Sequence, residues 1–456
     1  MQAMTVFSNW VDQYLNFEKQ PEKNIFWLDT MEYLAKRFGN PQNFCPCIHV
    51  AGSKGKGSVS TMISSILTEA GYSTGLYTSP HILNLVERIG TVNGPFCEAV
   101  YEKSVSEIMN GVNSIMTEEL PSGRPITWFE LMTLFGMLCF RNAKTDWSVY
   151  EVGLGGRLDA TNIIHPSVCC ITPIELEHTQ FLGDTVEKIA TEKGGIIKEG
   201  VPVIVSGQKA SVKKVFSDIA SSKNAGIVFA DECSSIKDLK YVVSSRTGME
   251  ITIESPYFKR PLHTVLRLLG EFQAQNACVA SLAVKTLYPD MDEETIERGL
   301  AKASLPGRFE ILKDIDCYPS IPEVILDGAH TVNSVHFTME TFEHLFEDCE
   351  DKSADLLFGC AADKDVEDIA SFFKDRFNSI MLTKPGNVKE ADLPRMENAF
   401  RKHGMDFAIT SDFYRAIESS LSKADETRTP LLVTGSFYLV SEVKKFLLAK
   451  KCTKTL

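Results

Sequence analysis

Residues 47–71 read CIHVAGSKGKGSVSTMISSILTEAG. A short apolar run, Ile48-His49-Val50-Ala51, leads into Gly52-Ser53-Lys54-Gly55-Lys56-Gly57, a loop in which three of six residues are glycine. After Ser58, the residues Val59, Met62, Ile63, Ile66, Leu67 and Ala70 recur at helical spacing, and Gly71 stops the run. The order is strand, glycine loop, helix.

That order suits an anion. Glycines let backbone N–H groups turn inward around a phosphate, and a helix N-terminus adds partial positive charge. Lys56 can reach the outer phosphates, and the Ser58 hydroxyl can ligate Mg²⁺. The common phosphate loop is G-x-x-x-x-G-K-[ST]. Here Gly57 separates the lysine from the serine, so the loop is a variant, G-x-x-G-K-G-S. A flexible turn before an ordinary helix is the competing account, and the strand ahead of the loop argues against it.

Upstream, residues 7–38 read as helical, with Trp10, Tyr14 and Phe17 on one face and Ile25, Leu28, Met31 and Leu34 in a second segment. Downstream, 73–78, 147–152, 168–171 and 202–205 read as strands, and 100–116 and 128–141 as helices. Asp184 and Glu187 have capping-box spacing for a helix that ends at Gly194-Gly195. Residues 208–265 are less regular, with a β-rich patch at 248–256, before a helix that runs to about 287. Leu305-Pro306-Gly307-Arg308 reads as an inter-domain hinge. Beyond it, strands at 324–326, 355–359, 379–383 and 431–435 alternate with helices at 333–346, 365–376 and 412–422. Such alternation implies mostly parallel α/β sheets.

The bulk composition agrees. A chain of 456 residues suggests two or three domains. A hydrophobic content of 44% with 23% charged residues is that of a globular protein. The charge balance, 47 − 60 = −13, disfavours general nucleic-acid binding. The twelve cysteines are scattered and form no CxxC pair, so they read as reduced core residues of a cytosolic protein rather than a zinc site. Neither a signal peptide nor an apolar run of membrane-spanning length is visible, so no membrane partner is expected.

Several polar residues sit where a sheet gathers ligands, just past strand ends. Glu151 closes an apolar strand and is placed to hold Mg²⁺, or is a surface carboxylate. His178 follows another strand end as a metal ligand or plain structure, and Ser79 gives a weaker signal still. Lys193, in the last turn of a helix, is explained by the helix dipole alone. For Asp327 and His330, in LDGAH, an Asp-Gly turn and a domain-interface site both fit.

Taken together, these motifs resemble the folylpolyglutamate synthase/dihydrofolate synthase family, relatives of the Mur ligases. The matching pieces are HVAGSKGKGS (49–58), TSPH (78–81), ERI (87–89), TWFE (127–130), EVGLGGRLDATN (151–162) and EHTQFLG (177–183). They continue with EKGGIIK (192–198), PGRFE (306–310), LDGAH (326–330), FGCAADKD (358–365) and VTGSFYLVSEV (433–443). They keep the family's order and span nearly the whole chain.

The resemblance implies an N-terminal ATP-binding domain with a phosphate-loop-type, mostly parallel sheet over 1–305. A smaller C-terminal Rossmann-like α/β ligase domain over 306–456 would close over it. It implies ATP and two Mg²⁺ ions. Gly52, Ser53, Lys54, Gly55, Lys56, Gly57 and Ser58 would form the phosphate loop. Ser58, Ser79 and Glu151 would hold the first metal and His178 a second. Lys193 matches the lysine that the family carbamylates, turning a cation into a metal-binding group. Asn276 and Arg308 match nucleotide contacts, and Asp327 and His330 lie near ATP and the incoming amino acid. Lys56, Lys193 and His330 are the catalytic expectations.

The implied reaction is ATP-dependent amide formation between L-glutamate and a folate, or dihydropteroate in a dihydrofolate synthase or bifunctional enzyme. It would run in a cytoplasmic monomer. Departures stand at Ser53-Lys54, where the family reads T-N, at Phe272 in place of histidine, at Glu177 in place of aspartate, and at Thr331-Val332 in place of Asn-Pro. They leave a non-catalytic nucleotide-binding paralogue as the rival reading.

Overall fold

The computed structural model describes residues 2–16, 27–346 and 354–453. The chain divides into two compact units. The first holds Met1–Asp238, Ile251–Val265 and Gln273–Ser304; the second holds Leu239–Glu250, Leu266–Phe272 and Leu305–Leu456.

The first unit is built on a seven-stranded sheet. Its strands are β1 (Cys47–Ala51), β2 (Thr74–Tyr77), β3 (Ile89–Gly90), β4 (Trp147–Glu151), β5 (Val168–Ile171), β6 (Val203–Val205) and β7 (Ile227–Phe229). The order is β3-β2-β4-β1-β5-β6-β7. All neighbours are parallel except β2 and β3. The apolar runs behind β1, β4 and β5 are buried at every position, as central parallel strands covered on both faces require. The chain leaves β1 toward β2 on one side and later crosses to β5 on the other, so the order switches direction around β1. Crevices at such switch points, outside the C-terminal strand ends, are where ligands bind.

One face is covered by helices Gln2–Val11, Asp29–Arg37, Glu98–Asn113 and Trp128–Ala143. Thr127 caps the last of these, accepting from Glu130 N while Glu130 Oε2 accepts from Thr127 N at 2.8 Å. Its Phe135 is wholly buried and stacks on Phe7 with ring centroids 3.9 Å apart. Truncating such a ring to alanine costs about 3–5 kcal/mol. The opposite face packs Ile196, Phe216 and Ala220 against Cys169, Ile171, Val203 and Val205.

Where sequence and structure part, local geometry explains it. Part of the helix expected over 7–38, including Phe17 and Ile25, lies outside the described residues. The helix expected from Asp184 starts at Val186 instead. Thr185 is its extended cap and accepts from Lys188 N, while Asp184 pairs with Lys188 Nζ at 2.7 Å. The irregular region holds a helix, Ala210–Ser222, whose buried stripe is only Val212, Phe216 and Ala220. The helix expected to reach 376 ends at Ser371, where Phe373 N turns to Ala370 O.

Three further strands, β8 (Ser235–Tyr241), β9 (Met249–Glu254) and β10 (Leu262–Leu266), form a sheet ordered β10-β9-β8. The second unit carries β11 (Glu310–Leu312), β12 (Val324–Leu326), β13 (Asp355–Phe358), β14 (Ser379–Thr383), β15 (Ala408–Thr410) and β16 (Leu431–Thr434). Their order is β11-β12-β16-β13-β14-β15, parallel except for β11.

Candidate active site

The glycine loop follows β1 and ends at the helix Lys56–Glu69. Two glycines are demanded by geometry. Gly52 has φ 144°, and a Cβ there would lie 1.8 Å from Thr172 Oγ1. Gly55 has φ 85°, and its Cβ would meet Asn276 Oδ1 at 2.6 Å. Asn276 therefore packs on the loop itself, with its Nδ2 donating to Gln273 Oε1 at 2.9 Å. The first bond of the following helix runs from Val59 N to Gly55 O. The amides of Lys56, Gly57 and Ser58 thus have no partner one turn back, which is the anion-binding property of a helix start.

Two lysines converge on one carbonyl. Lys56 Nζ donates to Gly52 O at 3.0 Å and to Ser53 O at 3.4 Å. Lys193 Nζ donates to Gly52 O at 2.7 Å and to Glu177 Oε1 at 2.9 Å. Lys193 is only 2% exposed. Burial first, then the charge of Lys56, brings its amine down to about 8, with Glu177 opposing. Burial favours the neutral acid at Glu177, but Lys193 and then Lys56 outweigh it and hold the carboxyl near 2. A buried amine with a lowered pKa offers a larger neutral, nucleophilic fraction than a surface lysine.

At the same sheet edge, Glu151 ends β4 beside Val50 of β1. Its Oε2 accepts from Ser79 N at 2.9 Å, so the structure joins these two sequence-predicted metal residues directly. His178 follows β5, is exposed, and has φ 47°, a left-handed conformation that only the surrounding loop sustains. Among the described residues, no group of three or more His, Cys, Asp or Glu side chains is gathered around a metal position. The oxygens expected to ligate, the Glu151 carboxylate and the Ser58 and Ser79 hydroxyls, are hard donors, and of these residues the structure joins Ser79 to Glu151 through the Ser79 amide. That set fits Mg²⁺, which takes one or two carboxylates and keeps its remaining ligands as water and phosphate.

The loop after Glu151 grips the helix that carries Lys193. Arg157 N donates to Glu192 O at 2.8 Å, and a Cβ on Gly156 would lie 2.8 Å from the carbonyls of Glu192 and Lys193. Inside the loop, Asp159 accepts from Leu154 N at 2.9 Å and from Thr161 Oγ1 at 2.5 Å. Thr161 in turn meets His49 Nε2 at 2.8 Å. With the threonine proton given to Asp159, His49 is the donor; burial lowers this imidazole to about 3 and keeps it neutral. One rigid path therefore runs from β1 through the loop to Lys193.

In the second unit, Asp327 follows β12. Its Oδ2 accepts from Phe309 N at 2.7 Å, and its Oδ1 from Ala329 N at 2.8 Å and Thr338 Oγ1 at 3.1 Å. Burial pushes this carboxyl above its ordinary value despite those bonds. The Arg308 guanidinium lies over the Phe437 ring at 3.9 Å, and His330 Nδ1 meets Gly328 O at 2.8 Å with its ring beside Phe437. Sequence reasoning missed Phe437, Thr172 and the part played by Glu177. Only Glu177 had a local signal, as an acid beside a candidate metal histidine.

The chain matches the Mur ligase middle domain over residues 50–284 and the Mur ligase glutamate ligase domain over 307–437. It is 30% identical to the dihydrofolate synthase/folylpolyglutamate synthase of Bacillus subtilis, over 96% of this chain and 97% of that one. The folylpolyglutamate synthase of Lacticaseibacillus casei is 28% identical over 92% of this chain and 94% of the relative. The Mycobacterium tuberculosis folylpolyglutamate synthase complexed with ADP and AMPPCP superimposes with a TM-score of 0.84 at 26% identity, covering 98% of each chain. An E. coli FolC in complex with DHPP and ADP gives 0.80 at 26% identity, covering 97% of this chain and 98% of the other. A glycine loop at the switch point of a mostly parallel sheet, followed by a second mostly parallel sheet, is thus the framework of a carbon–nitrogen ligase, and this chain belongs to the dihydrofolate synthase/folylpolyglutamate synthase family of Mur ligases.

Proposed function

We propose that the chain is an ATP-dependent ligase that adds L-glutamate to a folate through an acyl phosphate. The observation that supports this most is the convergence of Lys56 and Lys193 on Gly52 O, at 3.0 and 2.7 Å, beside the amides of a helix start. Phosphoryl transfer needs positioning and charge neutralisation above all. This corner supplies two amines, a helix N-terminus and a hard-oxygen donor set.

Residues 1–305 are assigned to nucleotide binding and 306–456 to the ligase domain. The loop Gly52–Ser58 cradles the ATP phosphates, its donors being the amides of Lys56, Gly57 and Ser58 at the helix start, and Lys56 leaves the Gly52 carbonyl to meet them. Asn276 and Arg308 are the nucleotide contacts. Ser58, Ser79 and Glu151 hold one Mg²⁺, and His178 with a carbamylated Lys193 a second. When bound, the metals neutralise phosphate charge and align the transferring group. The substrate carboxylate attacks the γ-phosphate and ADP leaves. The amine of glutamate, oriented near His330 and Asp327, attacks the acyl carbon, loses its proton and expels phosphate. Holding these reactants together supplies much of the rate.

Dihydropteroate is the second substrate reading, favoured by relatives that carry both activities in their names. Purified protein with ATP, Mg²⁺ and glutamate, offered tetrahydrofolate or dihydropteroate, should release ADP and phosphate and give a glutamylated product by mass spectrometry. Silence with every folate and pteroate overturns the proposal. The assignment extends to a cytoplasmic monomer, and light scattering at working concentration tests the monomer.

A further inference from the structure

Ser53 belongs to the glycine loop, yet its polar atoms are engaged elsewhere. Its N–H donates to Pro173 O at 2.9 Å. Its hydroxyl donates to Glu175 O at 3.2 Å and accepts from Glu175 N at 3.0 Å. A hydroxyl has one proton to donate, so Ser53 Oγ cannot donate to a phosphate without releasing Glu175. Ser53 is buried, which makes its reorientation costly.

The same segment is held from its other side. Gln208, after β6, donates from Nε2 to Thr172 O at 3.1 Å and accepts at Oε1 from Ile174 N at 3.1 Å. The strand order β1-β5-β6 explains the arrangement. The segment continues β5, and its two neighbours in the sheet each send one side chain onto its backbone. These bonds use only main-chain groups of residues 172–175. They leave the side chains of Glu177 and His178 to the site.

We propose that Ser53 and Gln208 are positioning residues, two struts that hold residues 172–178, and so Glu177 and His178, in register with the phosphate loop. The idea rests on the reading of that loop as the ATP site. Lys193 is a further tie, through Gly52 O and Glu177. A carbamate would form once the ammonium has given up one proton: the neutral Nζ attacks the carbon of CO₂, a second proton leaves the nitrogen, and the product is an anion. The ion pair to Glu177 is then lost. The struts keep the segment in place through that change, because they involve neither Lys193 nor Glu177.

Hydrogen exchange on the whole, ligand-free protein tests the struts without any substrate. In Ser53→Ala, the amide of Glu175 should exchange about tenfold faster, while amides of β1 and β5 stay protected. Ser53→Thr, which keeps the hydroxyl, should restore protection. Gln208→Ala should release Ile174 in the same way and serves alone if Ser53→Ala does not fold. In turnover, Ser53→Ala should lower kcat about tenfold and raise the Mg²⁺ concentration for half-maximal rate, with little change in the dissociation constant of a non-hydrolysable ATP analogue. Unchanged exchange at residues 174–178 in both variants overturns the proposal. So does an analogue affinity that falls as far as kcat, which would make Ser53 a direct phosphate ligand. Altered exchange in a protein inactive on every folate would keep the struts and reject the proposed reaction.

Discussion

The two parallel sheets use their C-terminal edges differently. In the first unit, half of the loop after β1 is glycine, and neighbouring segments come against bare backbone there: Thr172 at Gly52 and Asn276 at Gly55. Charge reaches Gly52 O both from within the loop, through Lys56, and from a distant helix, through Lys193. In the second unit, the loop after β12 is organised from within by a buried carboxylate, Asp327, which accepts from two amides and a hydroxyl. Where neighbouring side chains press on the backbone, only glycine fits. Where a buried carboxylate gathers the amides, the loop is held by a side chain of its own.

Five single-site variants and one pair test that contrast. Lys193→Ala removes the amine and leaves Glu177 without its ion-pair partner. We expect kcat to fall at least about 10³-fold while an ATP analogue still binds, as measured by calorimetry. Full activity with no response to bicarbonate would remove Lys193 from the chemistry. Glu151→Gln keeps an oxygen for Ser79 N but loses the charge. The Mg²⁺ titration should shift by about 10–100-fold, and an unchanged titration would deny the ligand role.

Gly52→Ala sets a methyl group against Thr172 in a backbone region that favours glycine. A loss of about 3 kcal/mol of stability is expected, read as a lower urea midpoint. The paired variant Gly52→Ala/Thr172→Gly should recover part of it, because it removes the clash but not the strained φ.

Asp327→Asn tests the second loop, with an expected cost of about 1–2 kcal/mol from the bonds to Phe309 N and Ala329 N. Its pH dependence has a definite sign. Burial raises the folded carboxyl above 3.8, so the unfolded chain gives up this proton at lower pH than the folded one. Stability from this group is therefore full below about pH 3.8 and declines as pH rises through the raised folded value. The asparagine variant should show a flatter midpoint across that window, and an identical slope would mean that Asp327 does not titrate there. Phe437→Leu is the mildest change. Losing the ring under Arg308 should cost about 0.5–1 kcal/mol, seen as a few-fold rise in the KM for ATP with kcat nearly unchanged.

Much of this was legible before folding. The mainly apolar runs at 48–51, 147–151 and 168–171 are buried strands because central parallel strands are covered on both faces. The capped helix from Trp128 follows from Thr127 and Glu130. The helix over 210–222 was not legible, since a single narrow stripe gives little periodic contrast. Nor was the Thr185 cap, since Asp184 offers the same local signal and only the backbone angles decide between them.

The site divides in the same way. Local order alone made the glycine loop a phosphate candidate, because strand, glycines and helix are consecutive and their chemistry is local. Strand-end position offered Glu151 and, more weakly, Ser79 as candidates, and the resemblance added Lys193. That Lys193 reaches Gly52 across 141 residues, that Ser79 N meets Glu151, and that Gly52 owes its glycine to Thr172 were decided by tertiary structure. A parallel sheet returns distant segments to one edge through crossovers, and no periodicity within a segment records which strand becomes its neighbour.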